Sequence, residues 1–383
     1  MRDRLLIPVL GLGQIVAFAS SYYLLGVTAA PMAASTGVAT TTLYAALSAA
    51  FLISAVLTPF AGAAIERRGG RSVQAFAHIA FAIALIVMAG ATATWMLVSG
   101  IALLGVGMGA GLYGTAFAIV VEHRGGAARR GITAVSLVGA LGGGLGWPLT
   151  RALIAATDWR LACLAWAATH LLLCLPLTLA LPTPPPRERS AASVPTTAGP
   201  LRWDRRMVQI AGLFAGAWMV SAAMGAHLPR LLQMLGMTAG AAAWAAGLMA
   251  ASAVAARLFD LVVLHRTHPV LTLRLACLLH PLGALAAGLG GARLAPLMAV
   301  GQGAGNGLLS VASGVLPLHV FGPDRYALRQ SLLLTPARYL QAAAPAAYAL
   351  ALDVSAPVAM AASSLVCLAM LGLTFGLGRG DPA

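Results

Sequence analysis

Arg257 and Asp260 stand three residues apart inside the otherwise apolar run VAARLFDLVV (254–263), a spacing that puts both on one helix face. A second guanidinium, Arg338, falls in a later apolar run, with Gln341 one turn further on. An ionisable group at membrane depth costs at least about 2.5 kcal/mol, so it faces water or a partner and is a functional candidate by default. Guanidinium presents a planar fork that matches a carboxylate with two parallel hydrogen bonds. Counted from the cytoplasmic end of its apolar run, Arg257 lies about 10 Å deep at 1.5 Å per residue, and Arg338 is expected at about the same level. Two cations at one level in a shared chamber would attract a small organic anion. Asp260 would then hold Arg257 in place or compete with the guest for it. The plainer alternative is that both arginines snorkel to an interface, with Asp260 as a local partner.

The elements that must position these groups are membrane spans. The chain has 383 residues, is 60% hydrophobic and only 9% charged, and has a mean hydropathy of +0.88. A soluble domain needs far more polar surface. Segments of the length a bilayer requires fall near 5–29, 39–61, 73–94, 96–120, 132–156 and 159–181, and again near 207–228, 239–264, 269–290, 294–320, 328–351 and 355–377. The fold class expected is therefore an all-α integral membrane protein of twelve transmembrane helices in two six-helix bundles, residues 1–181 and 207–383. The first segment is too long for a signal-peptide core and is expected to be a retained helix. Between the bundles, PTPPPRERSAASVPTTAGPLRWDRR (182–206) is too rich in Pro, Ser and Thr for a buried helix and reads as a linker.

The formal charge is +14, and every basic residue other than histidine is arginine. The positive residues form short clusters between apolar segments, with no basic stripe or stacking aromatics, which excludes a nucleic-acid partner. Their distribution fits topology instead. The linker carries Arg187, Arg189, Arg202, Arg205 and Arg206, and the same side receives Arg2, Arg4, Arg67, Arg68, Arg71, Arg124, Arg129, Arg130, Arg266, Arg325, Arg329 and Arg379. Opposite loops hold only Arg160, Arg230 and Arg293, so the positive-inside rule places both termini and the linker in the cytoplasm. The halves also echo one another: GMGAG at 107–111 recurs as GQGAG at 301–305, and WPLTRAL from Trp147 is followed in the second half by APAAYAL from Ala344.

After the second span, GAAIERRGGR (Gly62–Arg71) resembles the G-x-x-x-D-R-x-G-R-R signature of the major facilitator superfamily, with Glu66 in place of the usual Asp. The resemblance implies that Glu66, Arg67 and Arg71 latch the cytoplasmic side by pairing a carboxylate with helix ends and neighbouring arginines; a solvated, topology-setting turn is the alternative. The equivalent stretch of the second half, ARLFDLVVLHR, keeps Arg257 and Arg266 but has His265 where the acid usually stands. DWR at 158–160 and GAGNGLLSVASGVLPLHVFGP at 303–323 are similar to segments of bacterial monocarboxylate-carrier-like members, and a cation in each of spans eight and eleven resembles the oxalate/formate exchangers. A bacterial inner membrane is the location this implies. In that family the cavity is walled largely by spans one, four, seven and ten, which makes Gln14, Tyr22, Trp218, Gln302 and Asn306 candidate substrate contacts. Gln302 and Asn306 share one helix face, and buried amides need partners; Tyr22 could equally belong to an interfacial aromatic belt. Gly114 stands where many relatives are expected to carry Asp.

Cys163, Cys174, Cys277 and Cys367 sit singly in apolar runs, so their spacing indicates neither a metal site nor a disulfide. His78, His170 and His280 fall in spans three, six and nine, which usually pack outside the cavity, so structural roles are expected for them. No nucleophile elbow, phosphate-binding loop or cofactor fingerprint occurs, and neither an enzyme nor a cofactor is expected. The reading is a monomeric secondary carrier of a small anion, working by alternating access with protons or by exchange. A carrier exporting drugs or other hydrophobic compounds, and a receptor or scaffold that kept the fold without transport, are the alternatives.

Overall fold

The structure, a computed structural model, describes residues 5–182, 201 and 203–377. Most of the linker and the arginines at 2, 4, 187, 189, 202 and 379 lie outside the described residues. The described chain is helical, with no strand, and crosses twelve times. The first six crossings are α1 (Leu6–Thr36), α2 (Thr40–Arg68), α3 (Gly70–Ala89), α4 (Thr94–Gly111 and Tyr113–Arg124), α5 (Arg129–Gly139 and Leu141–Ala156) and α6 (Trp159–Leu179). The other six are α7 (Arg205–Met234), α8 (Ala239–Val262), α9 (Pro269–Gly290), α10 (Pro296–Phe321), α11 (Tyr326–Val354) and α12 (Ala356–Leu373). The continuous helical stretch Thr94–Ala156 is 63 residues long, far more than a bilayer accommodates at 1.5 Å per residue, and it folds back at 125–128 into α4 and α5. An even number of crossings brings both ends of the described chain and residues 182 and 203 to one side, called here the linker end.

Local sequence explains where the helices start. Asp158, Asp204, Thr238 and Ser355 each accept a hydrogen bond from the backbone N–H three residues on, capping α6, α7, α8 and α12. Between α2 and α3 the chain reverses on Gly69 at φ +80°, a conformation that penalises any Cβ. Several helices outrun the apolar windows, α1 to Thr36, α2 to Arg68 and α7 to Met234. Apolarity measures the bilayer core, whereas backbone hydrogen bonding continues into the interface.

The echoed glycines do the same work in both halves. A methyl at Gly107 or Gly111 would collide with Phe81 and Ala77 of α3, and at Gly301 or Gly305 with the Leu279 and Ala276 carbonyls of α9. On the next face, Gly105 and Gly109 press on Ala50 and Ser54 of α2, while Gly303 and Gly307 press on Met249 and Ala253 of α8. Helices in lipid associate by such close approach, because lipid tails remove the hydrophobic drive between them.

α4 breaks at Leu112, whose ψ of −172° is extended. The break deprives the Gly111 carbonyl of its helical donor, since the Thr115 N–H bonds Leu112 instead. Gln14 of α1 donates to that carbonyl at 2.8 Å and Gln74 of α3 at 3.2 Å. One apolar core is built mainly from α1–α6 and two others from α7–α12; Val311, Val315, Leu318, Tyr326 and Ala327 cross over to complete the first at the linker end.

Candidate functional site

The space between the halves has an aromatic wall and a cationic one. On the first side, a π-helical turn at Phe18–Tyr22 in α1 presents Tyr22 and Tyr23, whose ring centroids are 5.0 Å apart. Tyr113, just past the α4 break, packs on Phe18 at 4.8 Å and donates its hydroxyl to the Ser136 carbonyl at 3.0 Å. On the second side, Arg257 lies within electrostatic reach of Tyr23 and Tyr113, and Arg338 and Gln341 lie opposite Tyr22. Neither arginine is exposed.

The two guanidiniums are placed differently. Arg257 is buried; its Nε donates to Ser310 Oγ of α10 at 2.9 Å and to Ser136 Oγ of α5 at 3.1 Å, and Nη1 to the Ala253 carbonyl at 3.2 Å. Arg338 is half-buried and lines a cleft between α2, α4 and α11 with Thr58, Gly109, Gly114 and Gln330. Among the described residues it makes no hydrogen bond and no ion pair. Nor are the two level. Counted along their helices, Arg257 is about 8 Å from the linker end of α8 and Arg338 about 18 Å from that of α11. The expected equal depth fails: the apolar runs themselves put Arg338 about 15 Å in against about 10 Å for Arg257, and the gap widens because α11 starts two residues before its run and α8 ends two residues sooner.

Asp260 is not the partner of Arg257: no Arg257–Asp260 ion pair exists within 4.0 Å. Three residues along the helix gives a shared face, but Arg257 reaches Ser136 and Ser310 while Asp260 faces the start of α5. There it accepts from Thr133 at 3.1 Å and pairs with Arg129 at 3.9 Å. Arg129 further donates to the carbonyls of Thr267 at 2.6 Å and Leu264 at 2.8 Å, and Arg130 meets His265 at 2.6 Å. Glu66 accepts from the backbone of Ala327 and Leu328, closing α2 on α11. These contacts tie the halves together toward the linker end, and the conformation is closed there.

Other expected contacts fall elsewhere. Gln14 is fully buried on the Gly111 carbonyl and is spent inside the first bundle, not on a cavity wall. Gln302 is buried against His280 of α9, so its amide serves packing within the second bundle. Asn306 is half-buried with no hydrogen bond among the described residues, and Trp218 packs beside Phe214 at 6.2 Å. Arg67 is exposed and, among the described residues, donates only to Ala63 of its own helix, outside the latch. Arg71 donates to the Leu181 carbonyl at 3.0 Å, tying α3 to the start of the linker within the first half. The sequence reading missed Arg129, Thr133, Ser136 and Ser310, and also Glu122, which caps α3 through the Gly70 N–H at 2.9 Å. Arg129 was visible only as one charge in a loop cluster, and the serines gave no signal.

Twelve crossings in two halves, tied at one end around a polar and aromatic space, define a two-bundle membrane protein. A family model described as "Major Facilitator Superfamily" matches residues 10–335, and the chain belongs to that family of transporters. No curated protein sequence matches it. Among solved structures it is similar to the human organic anion transporter MFSD10 (TETRAN), at 17% identity and a TM-score of 0.75, with 97% of this chain and 99% of that one covered. It is also similar to the transporter FucP in the outward conformation (12%, 0.76, 98% and 99%) and to the proton:xylose symporter XylE (11%, 0.70, 96% and 94%). At these identities the likeness is one of fold.

Proposed function

We propose that this transporter is a secondary carrier moving a small organic anion, a carboxylate, by alternating access, coupled to protons or by exchange. It works as a monomer in the cytoplasmic membrane, with the linker end in the cytoplasm, a placement the arginine distribution supports. The observation that carries the reading is Arg338: a half-buried guanidinium in the inter-half space, opposite Tyr22, with no carboxylate paired to it among the described residues. A desolvated cation without a partner is a seat for an anion. Tyr22 and Gln341 offer donors to the same guest, and the aromatic wall suits its apolar body. Arg257, held by two neutral hydroxyls, forms the floor of the site toward the latch. The name of the similar MFSD10 agrees with this cargo class.

The test is counterflow of labelled carboxylates in proteoliposomes. Carboxylate exchange that falls at least tenfold in Arg338→Ala and partly recovers in Arg338→Lys is expected. Flux inhibited only by neutral or cationic lipophiles would replace this reading with export of hydrophobic compounds, which the aromatic wall favours.

A further inference from the structure

A second cluster of donor groups lies inside the first bundle, away from the space between the halves. His78 of α3 and His170 of α6 bring their Nδ1 atoms within 3.0 Å of each other, and the donor atoms of His78, His170 and Cys174 all lie within 4.8 Å of one another. All three residues are buried. His170 and Cys174 sit on a π-helical turn, Thr169–Cys174, and Ser20, on the π-helical turn of α1, bonds His170 Nε2 at 2.8 Å. Such single-turn widenings are frequently found at functional sites, where they re-aim side chains. Counted along the helices, His78 is about 12 Å from one end of α3 and His170 about 16 Å from the far end of α6, which puts the cluster near mid-membrane.

The geometry points to a binding site for a soft metal cation, Cu(I), held by His78 Nδ1, His170 Nδ1 and the Cys174 thiolate. Two imidazoles and a thiolate are a soft donor set. The charge decides between metals: a thiolate with a monovalent ion is neutral, whereas Zn(II) would leave a net positive charge at membrane depth with no acid in the cluster to balance it. Structural zinc also takes four protein ligands, and three are present. The outer groups fit. Ser20 holds the remote nitrogen of His170, as partners of metal-bound imidazoles commonly do. Gln74 lies 3.4 Å from the remote nitrogen of His78 and has a buried Oε1 with no hydrogen bond among the described residues. On binding, the thiol proton leaves to solvent and the ring proton shared between the two Nδ1 atoms is relocated to His78 Nε2. Rotating the Gln74 amide by 180° lets the orphan oxygen accept that proton, and Gln14 keeps the Gly111 carbonyl satisfied.

The full-length protein, purified anaerobically in detergent, is titrated with Cu(I) against a chromogenic bicinchoninate competitor. One equivalent is expected to bind, about a hundredfold more weakly in Cys174→Ala and about tenfold more weakly in Ser20→Ala. Cys163→Ala, Cys277→Ala and Cys367→Ala serve as controls with unchanged affinity, and melting curves confirm that each variant is folded. X-ray absorption of the loaded protein is expected to show two nitrogens and one sulfur. Binding no stronger than in Cys174→Ala, or a Cys174-dependent site that takes Zn(II) in preference to Cu(I), overturns the assignment. The result is independent of the transported cargo.

Discussion

The carboxylate of Glu66, at the end of α2, accepts hydrogen bonds from the backbone N–H groups of Ala327 at 3.0 Å and Leu328 at 3.4 Å, in the first turn of α11. The first N–H groups of a helix have no partner within it and carry the positive end of its dipole, so a carboxylate from one half caps a helix of the other. At an exposed site this is worth about 0.3 to 1 kcal/mol. Glu66→Ala is therefore expected to shift the balance toward the form open at the linker end. In a background otherwise free of cysteine, Thr58→Cys, buried in the cleft between α2, α4 and α11, should react with a thiol reagent about twofold to fivefold faster. Unchanged labelling would dismiss the latch.

Arg129 is expected to carry more of the closure than Glu66. Arg129→Ala removes two donors to α8–α9 carbonyls and leaves Asp260 buried without a cation, a defect of about 2 to 4 kcal/mol. Asp260→Asn removes the charge but keeps an acceptor for Thr133, so its effect should be smaller. The labelling rate at Thr58→Cys orders the variants, and equal rates would place the closure elsewhere.

Gln14→Leu tests a structural role against a binding one. The variant leaves the Gly111 carbonyl with Gln74 alone, which should destabilise by about 1 kcal/mol; adding Gln74→Leu orphans the carbonyl and should cost more than twice as much. Thermal melting reads the stability. Ligand affinity of the single variant should match the parent, and a large loss would return Gln14 to the cavity wall.

Gly303→Leu should fail to yield folded protein, because a side chain there meets the Met249 carbonyl and Ser252 directly. Gly225→Ala, where a methyl meets nothing within 4 Å, should fold like the parent. Size-exclusion profiles in detergent separate the two outcomes.

Much of this architecture was legible because lipid imposes long apolar periods and glycine contacts that repeat with the halves. The crossings follow from such local patterns, and Glu66 at a helix start from the resemblance of its loop to the family signature. The partner of Asp260 was not legible, because Thr133 lies 127 residues away and a three-residue spacing names a face without naming what covers it. Gln14 was misread for a related reason. Its partner is a carbonyl exposed by a helix break at Leu112, and a backbone angle leaves no mark in composition. The imidazole pair spans 92 residues, so no spacing rule could have joined it.

Gly114 shares a cleft with Arg338, and a Cβ built on it meets no atom within 4 Å. On the carboxylate reading proposed above, Gly114→Asp would place a tethered carboxylate in the cleft of Arg338, and a carrier so altered would be expected to sit self-occupied, indifferent to carboxylates outside.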